Sequence, residues 1–495
     1  MSYSNIFEYY CQNYDKKKMD LSYKEETPLT RNKPLSYLEY LANELVEHKY
    51  NENQTEISFP SSIEGAIECL INGSFSDQAI VYLSSNIHRI QQNDNQFIEH
   101  ILQTNVQNYI IPFATVETEY TLLLRTLQVL RMLTSISSSE DDQESSFQNP
   151  AFAHNLTTII IEMQDQPTII KNTIKLINSL LIHQNFSESI FLNFIHAKLP
   201  SVIKNSQIFH IDPSKIKIQN AKIIIHASKL LVNLAYFCKV EYLAMFTPFY
   251  EEINHFLVKS LKFDKKERAK LNFLELLSIM LKFPNNRTFA YNFHIPEMIL
   301  EILRTHKGEF LKFSFDAINE IASNDGLHPC FQTMAFYNLT RNALQNAKSH
   351  EILMSIFQAI ESLFPLDWDN LWTNEIISDI FDIMTMDHFE DRVESARLIV
   401  IYFQTCGNLE YLIEAIKTGY FTNIFEIFHC ISENQLCEVL DIMYELISRS
   451  YEVVEAFRQV EEVGQAMIAL KEHENETVAQ KAAELYDLIN DYHLE

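Results

Sequence analysis

The stretch Leu274-Glu275-Leu276-Leu277-Ser278-Ile279-Met280 defines a helix to which the chain returns again and again. Its Leu274, Leu277 and Met280 lie three residues apart, which is the spacing of one face of an α-helix. Segments of the same character recur on both sides of it, and they begin at Leu127, Ile174, Leu230, Ala317, Phe357, Ala396 and Leu440. The repetition indicates that one structural unit is used many times.

The period of this repetition predicts the fold. Successive copies are separated by about 40 to 54 residues, and the second half of the chain comes closest to the roughly 40–47 residues of armadillo and HEAT repeats. Within a period a short segment precedes two longer helices, often entered through an apolar-proline pair such as Leu199-Pro200 or Ile295-Pro296. No alternation of period two indicates a strand. We therefore predict an all-α fold, an armadillo/HEAT-type right-handed α-solenoid of about nine or ten repeats over residues 58–495; the alternative is an irregular helical bundle.

Several joints and flanking segments stand out from the helical pattern. Gly419 and Asn105 lie where a tight turn between helices needs a left-handed residue. Residues 135–149 are rich in serine and acidic side chains and predict a mobile acidic loop. The stretch from Phe364 to Asn374, with Pro365, predicts a second loop. Residues 1–57 form a polar, tyrosine-rich N-terminal segment outside the solenoid.

Composition narrows the function classes. The 495 residues include only 7 glycines and carry a formal charge of −27. Phosphate-cradling loops need more glycine, and nucleic-acid binding needs clustered cations, so we expect no nucleic-acid partner. Seven scattered cysteines favour a reducing compartment, and apolar stretches interrupted by charges predict no membrane partner. These features predict a protein of the cytoplasm and nucleus that binds a protein or peptide partner, with a basic one favoured by the charge.

The sequence offers little for catalysis. It has no nucleotide-binding or zinc-protease motif, and its 17 histidines show no ligand spacing with cysteine or carboxylate. The pair His429-Cys430 does not make a nucleophile and base, because neighbours in a helix point about 100° apart. We therefore predict no enzyme, no catalytic residue, no metal site and no cofactor.

The C-terminal segment from Val460 to Ile489, with His473-Glu474-Asn475-Glu476 at its centre, resembles the last armadillo repeat of the importin-alpha family. The stretch from Glu394 onward is similar to an internal repeat, and the weaker likeness extends over residues 60–495. Asn475 or Thr477 is expected to cap the last helix. The resemblance implies a nuclear transport adaptor that holds a lysine-rich localisation signal in a concave groove, with an importin-beta-type carrier bound by its N-terminal segment.

The groove of that family carries a tryptophan and an asparagine one turn apart on the third helix of each repeat. The positions that we align with them are Gln128 and Met132, Lys175 and Ser179, Lys229 and Asn233, Leu274 and Ser278, Asp316 and Glu320, Phe357 and Glu361, Arg397 and Ile401, and Asp441 and Glu445. Among them Asn233 alone matches the family. Residues 1–57 are also far less basic than the family's carrier-binding segment, so they correspond at most to a degenerate one.

The aligned positions carry acidic side chains in the second half of the chain. We predict a partner-binding surface on the concave face that consists of Asn233, Asp316, Glu320, Glu361, Asp441 and Glu445, suited to a basic peptide or protein surface. The alternative is that they are ordinary solvated positions. The function that follows is an importin-alpha-like adaptor for protein import into the nucleus, with a scaffold outside nuclear transport as the alternative.

Overall fold

The computed structural model describes residues 62–73, 75–87, 101, 103–136, 146–182, 187–206, 208–209, 218–258, 264–325, 328–385, 388–427 and 431–491. These residues form α-helices and short 3-10 helices, with no strand among them. Residues 1–57, residues 137–145 of the predicted acidic loop, and the pair His429-Cys430 lie outside the described ranges. Within those ranges, no helix combines the length and the apolar character that a bilayer crossing requires.

The described α-helices number 24. In chain order they are α1 Ile63–Ile71, α2 Ser76–Ser85, α3 Gln107–Ile110, α4 Tyr120–Ile136, α5 Pro150–Glu162, α6 Pro167–Ile182, α7 Ser187–His196, α8 Leu199–Asn205, α9 Ile218–Phe237, α10 Tyr250–Val258, α11 Asp264–Met280, α12 Pro284–Asn292, α13 Ile295–Thr305, α14 Glu309–Asp325, α15 Met334–Asn346, α16 His350–Thr373, α17 Ile376–Met384, α18 Phe389–Thr405, α19 Leu409–Lys417, α20 Tyr420–Ile427, α21 Glu433–Ile447, α22 Tyr451–Arg458, α23 Glu461–Lys471 and α24 Glu476–Asp491. Four 3-10 helices lie between them, at Ile111–Phe113, Ser146–Gln148, Val240–Phe249 and Pro329–Gln332.

The helices form two layers. Nine long ones, from 15 to 24 residues, pack side by side in chain order, each against the next. This long-helix layer consists of α4, α6, α9, α11, α14, α16, α18, α21 and α24. The shorter helices between them pack against one another and against the long ones, for example α19 on α22 and α20 on α23. A short amphipathic helix cannot bury its apolar face alone, so stacking of repeats creates the core between the layers.

The apolar side chains predicted from the repeat occupy that core. Leu274, Leu276, Leu277 and Met280 of α11 are all fully buried. The same holds for the corresponding apolar residues of the other long helices, so one continuous core extends through the described solenoid. Its contacts link residues of neighbouring repeats, which explains why the repeats form one array.

A left-handed residue marks the joint before the second helix of many repeats. Gly419 (φ 85°) and Asn105 (φ 46°) adopt this conformation, which confirms the prediction for both. Lys198, His294 and Glu375 adopt it as well, with φ between 55° and 61°. The last two residues directly precede α13 and α17, and Lys198 precedes α8, so the chain turns the same way at each joint although the residue type differs. Leu199-Pro200 and Ile295-Pro296 begin α8 and α13, as predicted.

The predicted loop from Phe364 to Asn374 is wrong. Helix α16 continues through this stretch and kinks at Asp367 (φ −155°, ψ 30°), two residues after Pro365. The part after the kink is helical because Trp372 packs in parallel on Tyr411, with 4.9 Å between ring centroids. Aromatic packing on the next repeat therefore outweighs the helix-breaking tendency of the proline.

Asn475, rather than Thr477, caps the last helix. Its Oδ1 accepts hydrogen bonds from the backbone N–H groups of Thr477 (2.9 Å) and Val478 (3.3 Å). Its Nδ2 also donates to Glu433 at 2.6 Å, which ties the start of α24 to the start of α21. The residues that carry the family resemblance therefore have a structural role in joining the last two repeats.

Candidate functional site

All six predicted partner-binding residues lie on helices of the long-helix layer, and the structure shows what each one contacts. Asn233 of α9 is buried, and its Nδ2 donates to Oδ1 of Asn178 on α6 at 2.7 Å. Asn178 in turn donates to the carbonyl of His226 at 3.0 Å. The nitrogen of Asn233 is therefore engaged in a cross-link between two neighbouring repeats.

Asp316 and Glu320 occupy successive turns of α14 and are both half-buried. Burial raises the pKa of each carboxyl, and the positive charge of Lys282 opposes this rise in both cases. The nearby hydroxyl of Ser355 on α16 and the charge of Lys312 also act to lower the pKa of Asp316. Glu320 lies 3.8 Å from the guanidinium of Arg287, which is itself almost completely buried. These two carboxylates thus stabilise contacts between helices.

The three remaining acidic residues pair with cations or amides. Glu361 of α16 forms an ion pair with Arg397 of α18 at 2.9 Å. Asp441 of α21 pairs with Lys481 of α24. Glu445 accepts from the side chain of Gln404 at 3.0 Å and pairs with Arg449 at 3.2 Å. Ion pairs to the neighbouring repeat reduce the negative field of this surface without removing it, because Asp441 and Glu445 remain exposed.

Seven of the sixteen aligned groove positions are buried: Met132, Lys175, Ser179, Asn233, Leu274, Ser278 and Phe357. Leu274 and Phe357 have exposed fractions of 0% and 3% and belong to the core. The next residue in each case does reach the surface: Glu275 is half-buried and pairs with Lys229 at 3.2 Å, and Gln358 is exposed. The register that we assigned from the sequence is therefore shifted by one residue in these two repeats, and Glu275 and Gln358 take the surface positions.

An open groove of about 570 Å³ lies between α14 and α16. Polar side chains at i and i+4 line it from both helices, and apolar residues at the kink of α16 close one end. Its lining residues are Asn319, Ala322, Ser323, Gln358, Glu361, Ser362, Pro365 and Leu366. Of these, Glu361 alone was among the predicted partner-binding residues. Asn319 with Ser323, and Gln358 with Ser362, give the same i, i+4 polar pattern in two successive repeats, which is the signal that could have revealed them.

Hydrogen bonds fix one amide of this groove. Ser362 donates to Oδ1 of Asn319 in a short bond that spans 43 residues of sequence, whereas Ser323 donates to the backbone carbonyl of Asn319 at 2.7 Å. The two hydroxyls are also 3.1 Å apart. In the part of the chain that the structure describes, Nδ2 of Asn319 and the side-chain amide of Gln358 have no hydrogen-bond partner. The groove therefore presents one oriented amide donor, that of Asn319, and the amide of Gln358 beside the carboxylate of Glu361.

The first half of the long-helix layer has the opposite charge. Desolvation by burial, with a contribution from Lys222, lowers the pKa of Lys175 to about 8. Burial likewise lowers the pKa of His226 to about 3, and Lys175, Lys171, Arg131 and Arg268 lower it further. Cations of α4, α6, α9 and α11 thus lie close together around Lys175 and His226. The layer is therefore basic in its first half and acidic in its second half.

Comparison with known proteins gives structural neighbours only. No family model matches the chain, and no curated protein sequence matches it. An engineered protein superposes with a TM-score of 0.65 at 12% identity, over 86% of this chain and 98% of its own. A structure from work on a phosphorylation switch that controls the interaction between cadherin and beta-catenin gives a TM-score of 0.55 at 14% identity, over 87% and 83%. A designed armadillo repeat protein in complex with the peptide (KR)4 matches 48% of this chain and 98% of its own, with a TM-score of 0.41 and 18% identity.

The fold class follows from the helix order and the neighbours together. Repeats of two shorter helices and one long helix stack into a single array, and the engineered protein shares that architecture over nearly its whole length. The chain is an all-α solenoid of the armadillo type. Identities of 12% and 14% establish this fold and nothing finer, so function has to be argued from the surface.

Proposed function

We propose that the protein is an armadillo-type scaffold that binds an extended segment of a partner protein along its long-helix layer. The observation that carries the proposal is the groove between α14 and α16, where the hydroxyl of Ser362 holds Oδ1 of Asn319 and leaves the N–H donors of that amide available. An extended peptide has backbone carbonyls that point sideways at regular intervals and need donors. A carboxamide held in one orientation meets that need without reading the side chains.

The layer as a whole favours an extended partner. Helices in contact lie about 8–10 Å apart, and an extended chain advances about 3.3 Å per residue. One repeat therefore matches about three residues of a bound segment. Among the structural neighbours is one from work on the interaction between cadherin and beta-catenin, which supports a binding role for the fold and does not identify a partner for this chain.

Replacement of Asn319 by alanine is expected to weaken binding of a selected peptide about fivefold, because one lost hydrogen bond to a backbone carbonyl contributes about 1 kcal/mol. The peptide would come from a random decapeptide library selected against the full chain, and affinity would be measured by fluorescence anisotropy. The matched control is Asn346→Ala on α15, where the side chain bonds its own helix. Equal affinities of the two variants would contradict the proposal.

The acidic half of the layer is proposed to favour a basic partner. Asp316, Glu320, Glu361, Asp441 and Glu445 would attract cationic side chains, and Asn233 would contribute by keeping the α6–α9 contact in place. Reversal of Glu320 is a poor test, because a lysine there would face the buried guanidinium of Arg287. Glu361 and Glu445 are better targets, since both are accessible.

The double variant Glu361→Gln, Glu445→Gln is expected to bind a lysine-rich decapeptide several-fold more weakly than the unaltered chain, with a smaller dependence on salt. The control is Glu301→Gln with Glu455→Gln, which removes two carboxylates that also pair with arginine but lie on α13 and α22. Both doubles change the net charge equally. The same loss in both would show a long-range charge effect and would remove Glu361 and Glu445 from the partner-binding surface.

Nuclear import is the second candidate, and the C-terminal likeness to the importin-alpha family favours it. In this role the scaffold would be an adaptor whose cargo binds the long-helix layer and whose residues 1–57 engage an importin-beta-type carrier. Affinity capture from native lysate with the full chain and with a chain lacking residues 1–57 tests it. Recovery of a carrier that is lost on truncation would support transport; recovery of other partners alone would leave a scaffold outside that pathway.

A further inference from the structure

Two histidines from successive repeats meet at one end of the long-helix layer. His350 is the first residue of α16, and His388 is the residue that immediately precedes α18. Their ring centroids are 6.0 Å apart. A ring nitrogen of each and a carboxylate oxygen of Glu390 all lie within 4.8 Å of one another. His388 and Glu390 are exposed and His350 is half-buried, so solvent ions reach all three.

A fourth side chain holds the ring of His350 and lies beside the ring of His388. One oxygen of the Asp391 carboxylate accepts a hydrogen bond from Nδ1 of His350 at 2.6 Å. The other oxygen lies 3.3 Å from Nδ1 of His388. An imidazole that donates Nδ1–H to a carboxylate keeps its lone pair on Nε2. Carboxylates that hold histidine ligands in this way are a regular part of protein metal sites, where they fix the tautomer and raise the basicity of the ligand.

We propose that His350, His388 and Glu390 form a site for a divalent transition-metal ion of the zinc class, with Asp391 as a positioning residue. Two imidazole nitrogens and one carboxylate oxygen match the donors that such ions take, with water in the fourth position. Calcium and magnesium prefer oxygen donors throughout, so the two imidazoles select against them. The donor atoms of a tetrahedral zinc site are about 3.3 Å apart, and rotation of the exposed side chains closes the remaining gap.

The position of the site suggests what a bound ion would do. Its ligands come from α16 and from the start of α18, which are neighbours in the long-helix layer. An ion held by both would link two repeats at the end of the layer and stabilise the folded chain over the unfolded one. The sequence does not reveal this arrangement, because His350 and His388 are a full repeat apart and approach each other only through the stacking.

The test is titration of the full chain with Zn²⁺ in competition with a chromophoric chelator. We expect the unaltered chain to bind one Zn²⁺ ion. The affinity for this ion should be lost or fall at least tenfold in His388→Ala, and should fall about tenfold in Asp391→Asn. Bound Zn²⁺ should raise the melting temperature of the unaltered chain and leave that of His388→Ala unchanged. Excess Ca²⁺ should not displace it.

The control is His294→Ala. His294 also directly precedes a helix and lies 3.8 Å from a carboxylate three residues later, that of Glu297. Circular dichroism and thermal unfolding would verify that both variants fold, since His294 adopts a left-handed conformation that alanine disfavours. Unchanged binding in His388→Ala, or an equal loss in His294→Ala, would overturn the proposal and leave only adventitious binding at surface histidines.

Discussion

Replacement of Arg287 by alanine is expected to lower the free energy of unfolding by about 3 kcal/mol, because it breaks a buried charged contact. Arg287 of α12 has an exposed fraction of 3%. Its Nε donates to the carbonyl of Leu281 at 3.1 Å, and its guanidinium faces Glu320 of α14. Without it, a buried carbonyl and a half-buried carboxylate would both lose a charged partner.

The comparison for Arg287→Ala is Arg304→Ala. Arg304 of α13 forms a closer ion pair, 2.7 Å from Glu301, but about half of each side chain is exposed. Exposed pairs contribute at most about 1 kcal/mol, since water screens them. Urea unfolding followed by circular dichroism measures both variants. Equal destabilisation would show that the depth of Arg287 does not matter and would contradict this account of the α12–α14 contact.

Truncation of Tyr402 to alanine is expected to cost about 4 kcal/mol, as for other large aromatic residues in cores. Tyr402 of α18 is fully buried, packs edge-on against Phe364 at 5.3 Å and lies parallel to Trp372 at 6.4 Å. Its hydroxyl donates to the carbonyl of Trp368 at 3.0 Å. The ring therefore fills the space beside the kink of α16.

The variant Tyr402→Phe separates the ring from the hydroxyl. It keeps the packing and removes one hydrogen bond, so the expected loss is about 1 kcal/mol. Thermal and urea unfolding of the two variants measure how much unfolding free energy each one loses. A loss in Tyr402→Phe as large as that in Tyr402→Ala would mean that the hydroxyl, and not the ring, holds the kinked segment in place.

The fold was predictable because apolar periodicity reports which face of a helix is buried. The joints were predictable in part. Gly419 and Asn105 have intrinsic preferences for left-handed conformations, whereas Lys198, His294 and Glu375 adopt them against their preference, because the stacking of the repeats imposes the turn. At Pro365 the sequence pointed to a loop, and tertiary packing of Trp372 produced a kinked helix instead.

The site was less predictable, because its contacts depend on the register between neighbouring long helices. Glu361 meets Arg397 and Asn319 meets Ser362 only when two helices about 40 residues apart in sequence are aligned. Local periodicity fixes each helix face and leaves this alignment open by about one residue. That freedom explains why Leu274 and Phe357 were assigned to a surface that Glu275 and Gln358 occupy.

The central claim, that a partner segment lies in the groove between α14 and α16, can be tested with a photo-crosslinking amino acid. It would replace Gln358 in the full chain, which would then be irradiated with a saturating amount of the selected peptide. Asn342, on the exposed surface of α15, provides the control position. If the segment lies in this groove, we expect a crosslinked product from position 358 and none from position 342. A product from position 342 alone would place the partner on the other layer and rule out binding in the groove.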